Sequence, residues 1–265
     1  MYRLPDTELA HAELAKLLAL QTHVNAGADF AQQVSRAKAK FASKPSTLFK
    51  KVRARLSDMA GQLVRCAYCE DSCADEVEHI YPKDFYPGRV FDWNNYLFAC
   101  GPCNGGKSNK FSVLLAGNVV VSLPDHRAAN GMVPPPAGAT SLIDPRVEDP
   151  LQFLWLDMMQ TFRFTVLDED DAVARVRAKS TIDDLGLNRD VLVEARKNAF
   201  QGYGDRLAQY VARQIAGDTP PELAPRIQSL KTTPHRTVWL EMKRQRAAFP
   251  LLDSAFVAAP EAMAW

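Results

Sequence analysis

At 265 residues the chain is long enough to bury a sizeable core in one large or two modest domains, and its 47% hydrophobic and 24% charged residues are typical of a soluble globular protein. No run approaches the roughly 18 consecutive apolar residues of a membrane span, and the charged amino-terminal segment lacks the apolar stretch of a secretion signal. The net charge of +1 excludes a uniformly polybasic or polyacidic chain, and we expect a cytoplasmic protein with no membrane partner.

Helices are predicted throughout the amino-terminal region, residues 1–65. Asp6 and Thr7 precede the amphipathic run ELAHAELAKLLALQ, which predicts a helix capped at its start. A second helix is predicted from Phe30 to Phe41. A third, entered through Pro45, is predicted from Ser46 to about Leu63.

The second and third helices carry a stripe of positive charge. Between residues 31 and 65 there are nine basic residues and a single acidic one. Such a stripe is typical of contact with a phosphate backbone, although on charge alone a solvated helix face fits equally well. The motif that follows favours nucleic acid, and the predicted contacts, two of which come from the next region, are Lys50, Lys51, Arg53, Arg55, Lys83 and Lys110.

Four of the five cysteines form two CxxC pairs in the next region, residues 66–115. They are Cys66, Cys69, Cys100 and Cys103, with the spacing C-x2-C-x30-C-x2-C. Two such turns together give the tetrahedral sulfur shell of a closed structural zinc site. A redox pair would need a thioredoxin-like βαβ context, which the sequence lacks. Cys73 has no partner at ligand spacing and is expected to take no part in the site.

Two strands and a helix are predicted between and after these pairs. Val77 to Ile80 is predicted to end a strand, and Trp93 to Ala99 to form the returning strand. A helix is predicted to begin at Asn104 and to run through Lys107 and Lys110. We therefore expect a small metal-clipped finger.

Residues 66 to 110 resemble the HNH nucleases, whose fold is the ββα-metal finger, in the motifs Glu78-His79-Ile80-x-Pro82, Asn95 and Cys103-Asn104-x-x-Lys107. The resemblance implies that His79 is the general base that activates water and that Glu78 and Asn104 hold one divalent ion, Mg²⁺ or Mn²⁺. It also implies that Asn95 braces the loop between the strands. Many relatives carry Asp at the position of Glu78, so the longer side chain binds the ion either directly or through water. Lys107 is expected to contact a flanking phosphate.

Elementary chemistry agrees with these roles. A histidine of near-neutral pKa can deprotonate water, and a hard cation held by oxygen ligands can neutralise the charge that develops on a phosphodiester. Singly, each residue also fits a structural role, as a core histidine, a helix cap, a turn residue or a surface charge. Their order within a four-cysteine clamp favours the nuclease. The other histidines, expected to be structural or exposed, are His11, His23, His126 and His235.

The carboxy-terminal region, residues 116–265, is predicted to be mostly helical. A short strand is expected from Asn118 and another from Thr161 to Asp168, with a loop at Pro134-Pro-Pro-Ala-Gly between them. Helices are expected at Asp171–Leu185 and at Asp190–Ala216, the latter capped by Asn188. Thr219-Pro-Pro is expected to break the chain before a basic helix at Thr237–Ala248 and a hydrophobic tail. The tryptophan segments at 154–156 and 237–240 are expected in the core.

A wider similarity links the chain to a bacterial family of HNH proteins that includes nuclease subunits of Septu-type and retron-linked anti-phage systems. It is carried by Cys69-Glu70, Phe85-Tyr86-Pro87, Leu142-Ile143-Asp144-Pro145 and Thr181-Ile182-x-x-Leu185-x-Leu187-Asn188-Arg189. The resemblance implies cleavage of double-stranded DNA in defence, often beside a partner ATPase of the SMC/ABC type.

The sequence therefore predicts a mostly α-helical α+β protein with a central zinc-clipped ββα finger. The leading function is a metal-dependent HNH endonuclease that hydrolyses phosphodiester bonds. One alternative is a zinc-dependent nucleic-acid-binding or scaffold protein with a vestigial finger, against which the intact His79 and Asn104 argue. A stand-alone restriction enzyme and a nuclease acting on RNA or tRNA also remain open.

Overall fold

The computed structural model describes residues 1–61, 63–124 and 133–265. Helices dominate these residues and the strands form small sheets, so the prediction of a mostly helical α+β protein is confirmed. Within the same ranges no helix combines the length and the apolar character that crossing a membrane requires.

Three helices open the chain: α1 (His11–Asn25), α2 (Phe30–Ala42) and α3 (Ser46–Met59). The prediction for α2 is confirmed, and the side chain of Asp29 caps its start. The prediction for α1 is wrong at its start, because the Thr7 hydroxyl donates to the Pro5 carbonyl at 3.3 Å and the helix begins after Ala10. Helix α3 ends earlier than predicted, since Gly61 adopts a φ of +82° two residues beyond it.

The finger region contains two antiparallel strands followed by a short helix. Strand β1 (Glu76–His79) pairs with β2 (Tyr96–Ala99), and His79 lies opposite Tyr96. Helix α4 (Gly101–Lys107) follows directly, with Cys100 as its N-cap. The prediction that this helix begins at Asn104 and continues through Lys110 is wrong, because Ser108 takes a φ of +47° and ends it.

Short strands form two further sheets in the described part of the carboxy-terminal region. The first has the order β4-β3-β5, from β3 (Ser112–Leu114), β4 (Val120–Ser122) and β5 (Ala139–Thr140). The second pairs β6 (Leu154–Leu156) with β7 (Phe164–Val166). The strands predicted after Asn118 and within 161–168 are confirmed in shortened form, whereas β3, β5 and β6 were not predicted. The predicted loop at 134–138 has no regular structure.

The remaining helices are α5 (Ala172–Asp184), α6 (Asp190–Ile215), α7 (Pro220–Lys231), α8 (Arg236–Gln245) and α9 (Pro250–Ala258). The predictions for α5, α6 and α8 are confirmed, and the hydrophobic tail is itself helical. The predicted break at Thr219 is confirmed, since α6 ends before it, but the helix that follows was not predicted. Thr219 and Glu222 form a capping box, and the two prolines occupy the first turn of α7, where no backbone donor is needed.

The predicted capping of α6 by Asn188 is also wrong. The Asn188 side chain instead accepts a hydrogen bond from the backbone N–H of Phe164 and donates to its carbonyl, both at 2.8 Å. It therefore ties the start of α6 to β7.

One hydrophobic core includes residues from all three predicted regions. Helix α3 packs against β2, with the rings of Phe49 and Tyr96 6.0 Å apart. Trp239 is 4% exposed and Leu154 and Leu156 are fully buried, so both segments reach the core as predicted, although Trp155 itself is only half-buried. The finger is thus packed between the amino-terminal and carboxy-terminal helices.

Candidate functional site

The four paired cysteines form one buried cluster. Their sulfur atoms all lie within 4.8 Å of one another, and the Sγ atoms of Cys69 and Cys100 are 3.8 Å apart. A tetrahedral zinc site with Zn–S bonds of about 2.3 Å has sulfurs about 3.8 Å apart along each edge. The residues therefore fit a zinc ion, in a closed site that would leave no open position for substrate. Cys73 is exposed and lies outside the cluster.

The thiols of this cluster shift one another's pKa. A hydrogen bond with Cys100 raises the pKa of the Cys66 thiol, while a hydrogen bond with Cys103 lowers the pKa of Cys100. The sulfurs thus share protons, because several thiolates this close together repel one another. A bound dication would remove that repulsion and allow all four to ionise.

Backbone contacts hold the two cysteine pairs together. The N–H of Ala67 donates to the Phe98 carbonyl at 3.0 Å, which joins the first pair to β2. The second pair lies at the start of α4, where Cys100 is the N-cap and Cys103 is in the first turn. The cluster therefore fastens the loop before β1 to the helix after β2.

His79 ends β1 and is 6% exposed. Its ring packs between those of Phe41 and Tyr96, at centroid distances of 4.6 and 5.2 Å. Its Nε2 atom lies 3.0 Å from the Val90 carbonyl oxygen, which can only accept, so Nε2 carries the proton and Nδ1 keeps the lone pair. Burial lowers the pKa of His79 to about 3, and the imidazole is therefore neutral at pH 7.

Glu78 and Lys107 form a buried ion pair on the opposite side of β1. The Lys107 Nζ atom is 2.7 Å from Glu78 Oε1 and donates to the His79 carbonyl at 2.9 Å. Burial raises the pKa of Glu78, and the nearby ammonium opposes that rise. Lys107 is fully buried, so the structure places it in the interior rather than where a flanking phosphate would meet it.

The side-chain amide of Asn104 forms a hydrogen bond with the carboxylate of Glu76. The Asn104 Nδ2 atom donates to Glu76 Oε2 at 2.5 Å, and both side chains are half-buried. Glu76 was missed by the sequence reasoning. The sequence did carry a signal for Glu76. Side chains alternate along a strand, so Glu76 and Glu78 lie on the same face of β1, where both meet α4.

Asn95 holds the loop that connects β1 to β2. Its Oδ1 atom accepts from the backbone N–H of Tyr81 at 2.7 Å, and its Nδ2 atom donates to the carbonyls of Tyr81 and Arg89 at 3.0 and 2.9 Å. It is completely buried. One amide thus fixes both ends of the segment between residues 81 and 89.

Two adjoining cavities open on this side of the finger, with volumes of about 500 and 330 Å³. Both are lined by Phe41, Glu76, Val77 and Asn104. The smaller one also reaches Glu78 and His79, and we call the two together the groove. The groove is therefore lined by His79, Asn104, Glu76 and Glu78, although the two glutamates and His79 extend from opposite faces of β1.

Only some of the basic residues predicted to contact nucleic acid lie at the groove. Lys50 and Arg53 line the larger cavity, together with Lys44, which the sequence reasoning did not select. Lys83 lines the smaller cavity. Lys110 is exposed beyond the end of α4 and does not line the groove.

Two of the predicted contacts are engaged elsewhere, with residues of the amino-terminal segment, α1 and α3. Lys51 pairs with Glu13 at 2.5 Å. The Arg55 side chain donates to the Glu8 carbonyl at 2.7 Å and pairs with Asp58 at 3.2 Å. Helical spacing explains the division, because neighbouring residues on α3 point about 100° apart.

The other histidines that the structure describes lie away from the groove. His11 and His23 are exposed, and His235 is buried with its ring nitrogen 3.4 Å from Asp71. These three match the expectation that they are structural or exposed. His126 lies outside the described residues.

No family model matches the chain. Among curated proteins it is similar to the Septu protein PtuB of Bacillus thuringiensis, with 48% identity over 48 residues. The match covers 16% of this chain and 19% of that protein, so the chain spans about a fifth of the length of the curated relative that it matches.

Proposed function

We propose that the protein is a metal-dependent endonuclease that hydrolyses phosphodiester bonds, with DNA as substrate, in an anti-phage defence system of the Septu type. The observation that carries this proposal is the groove, which is lined by neutral His79 and the Asn104–Glu76 pair and flanked by Lys50 and Arg53. The local similarity to a Septu protein supports the defence role.

In this proposal His79 takes the proton from the attacking water. Its neutral imidazole offers a lone pair on Nδ1, and the Val90 carbonyl holds the ring through Nε2. Phe41 and Tyr96 keep the ring oriented and limit the water around it. When bound, a divalent ion would neutralise charge on the phosphate and on the leaving oxygen.

Asn104 and a carboxylate from β1 would hold that ion. Carboxylate and amide oxygens suit Mg²⁺ or Mn²⁺, which usually use one or two carboxylates together with substrate phosphates. Glu76 already contacts Asn104, whereas Glu78 is engaged by Lys107. We therefore assign direct binding to Glu76 and Asn104, and an indirect role through water to Glu78.

Cleavage of plasmid DNA and of tRNA by the purified protein, with Mg²⁺ or Mn²⁺, tests the activity. His79→Gln should lower the cleavage rate by about 10²–10⁴-fold, the usual contribution of a general base. We choose Gln because the ring is buried and truncation to Ala would leave a cavity. His23→Gln, at an exposed position on α1, is the matched control.

The outcome separates the rival functions. If folded, zinc-loaded His79→Gln cuts as fast as the parent, the finger is vestigial and the nucleic-acid-binding or scaffold function takes first place. If tRNA is cut and plasmid DNA is not, the substrate is RNA. The resemblance also implies a partner ATPase of the SMC/ABC type, and co-purification of the protein with an ATPase tests that part.

A further inference from the structure

An arginine from the carboxy-terminal region contacts the four-cysteine cluster. The Nη2 atom of Arg189 donates to the Sγ atom of Cys103 at 3.2 Å, and its Nη1 atom lies 3.4 Å from the Pro102 carbonyl. The two donors therefore meet the first turn of α4, where the second cysteine pair lies. Arg189 is 86 residues from Cys103 in the sequence, so this contact depends on the tertiary fold.

The turn between α5 and α6 presents this side chain in a defined position. Gly186 has a φ of +56°, and a Cβ atom there would lie 3.4 Å from the Cγ and Cδ atoms of Arg189. The N–H of Arg189 also donates to the Gly186 carbonyl at 3.2 Å. The adjacent Asn188 is bonded to β7, as described above. The guanidinium is thus held by a turn that is itself fastened to a sheet.

The negative charge of the zinc-bound cluster explains why an arginine contacts it. Four thiolates around one Zn²⁺ carry a net charge of −2, and all four cysteines are buried. Buried charge is costly unless it is compensated by a nearby opposite charge and by hydrogen bonds. An arginine supplies both, because it stays protonated and carries several donors in a planar fork.

We propose that Arg189 is an outer-sphere residue of the four-cysteine metal site, which donates to Cys103, offsets part of the negative charge of the cluster and fastens the carboxy-terminal helices to the finger. The proposal concerns the metal site alone and holds whether or not the protein cuts nucleic acid. It makes Arg189 a positioning residue rather than a catalytic one.

Zinc affinity, measured by competition with a chromogenic chelator, is the first test. Arg189→Met keeps much of the length but removes the charge and the donors, and it should weaken zinc binding by about 10–100-fold, the usual effect of losing an outer-sphere partner. Arg189→Lys should recover part of the loss. Arg175→Met removes a half-buried arginine of α5 whose side chain donates to the Glu169 carbonyl, and it should bind zinc like the parent.

A Co²⁺-loaded sample separates this role from a merely structural one. A hydrogen bond to a thiolate lowers the energy of its lone pair, so its loss in Arg189→Met should move the sulfur-to-cobalt charge-transfer band to longer wavelength. Tyr203→Phe, which removes the hydrogen bond at 2.8 Å from Tyr203 to the Thr233 carbonyl, controls for reduced stability and should leave the band unchanged.

Unchanged zinc affinity and an unchanged cobalt band in Arg189→Met would overturn the proposal. A native protein that binds no zinc would overturn it as well. Because Arg189 is only half-buried, its variants are expected to fold. Should Arg189→Met nevertheless fail to fold, Arg189→Gln and Arg189→Lys carry the same test, and parent-like values in both would refute the role.

Discussion

His79 combines a lone pair with a buried, oriented ring. Its Nε2 proton is committed to Val90, so only Nδ1 remains to accept a proton. The same burial that orients the imidazole also removes its positive form near neutral pH. The groove therefore holds a histidine that is neutral at pH 7 and has a free lone pair. Its burial also makes that lone pair a weaker base, and it makes the stability of the protein depend on pH.

That pH dependence is the first prediction at the residue scale. The pKa of His79 is lowered by burial to about 3 in the folded protein, whereas an unfolded imidazole titrates near 6.5. The resulting stabilisation is complete above that unfolded pKa and is lost as the pH falls toward the folded pKa, by up to about 1.4 kcal/mol per pH unit. Urea unfolding at pH 7.5 and 5.5, without added Mg²⁺, should show a steeper loss for the parent than for His79→Gln. Parallel slopes would contradict a buried neutral imidazole.

The two carboxylates of β1 give a second residue-scale prediction. Glu76→Gln can still accept from Asn104 but removes the charge that holds a cation, so it should abolish measurable Mn²⁺ binding by electron paramagnetic resonance. Glu78→Gln removes the partner of Lys107 and should weaken Mn²⁺ binding less.

The reverse order, with Glu78→Gln losing Mn²⁺ and Glu76→Gln keeping it, would show that Glu78 is the direct ligand. That result would leave the proposed nuclease activity intact, because His79 and Asn104 serve it with either carboxylate. Asp75→Asn, at an exposed neighbouring position, is the control for a general loss of negative charge.

At the scale of elements, α3 presents one basic pair to the groove and another to residues outside it. Lys50 and Arg53 line the larger cavity, while Lys51 and Arg55 are engaged with Glu13, Glu8 and Asp58. The helix thus carries two pairs with the same total charge in different surroundings, which is a matched comparison within one element.

Changing Lys50 and Arg53 together to Gln should weaken binding to duplex DNA of any sequence. Each lost phosphate contact removes about 0.9 units from the dependence of log affinity on log salt concentration. Fluorescence anisotropy at several salt concentrations measures both effects. The same change at Lys51 and Arg55 should leave the slope near that of the parent. Equal losses in the two double variants would mean that net charge, rather than the groove, governs binding.

At the scale of the whole molecule, the cysteine cluster lies where the finger meets the carboxy-terminal helices. It joins the loop before β1 to α4, its backbone is tied to β2, and Arg189 reaches it from the start of α6. The surrounding core includes residues from the amino-terminal and carboxy-terminal helices alike. Loss of the metal is therefore expected to affect more than the finger.

Replacing Cys66 or Cys103 with Ser should release zinc and lower the melting temperature of the whole chain. In small structural sites the free energy of zinc binding is largely free energy of folding. Cys73→Ser, at the exposed cysteine outside the cluster, should keep both values. Metal analysis and circular dichroism on the same samples measure them. One equivalent of zinc retained in the Cys66→Ser, Cys103→Ser double variant would contradict the assignment.

The sequence by itself determined those features that depend on local spacing. The two CxxC pairs predict the cluster because each pair makes its own turn, and the periodicity of α2, α5 and α6 predicts those helices before any packing is known. Helix α7 carried an equally local signal in Thr219 and Glu222, and it was missed because its prolines were interpreted only as a break and not also as a first turn.

The tertiary structure alone decided which side chains share a surface. Glu76 rather than Glu78 meets Asn104, Lys107 is buried, and Arg189 reaches Cys103, because each contact joins residues at least 28 positions apart through the packing of separate elements. Residue type and spacing indicate which groups are able to bind a metal or accept a proton. Their partners depend on how α3, α4 and the turn before α6 pack around the finger, which local periodicity does not encode.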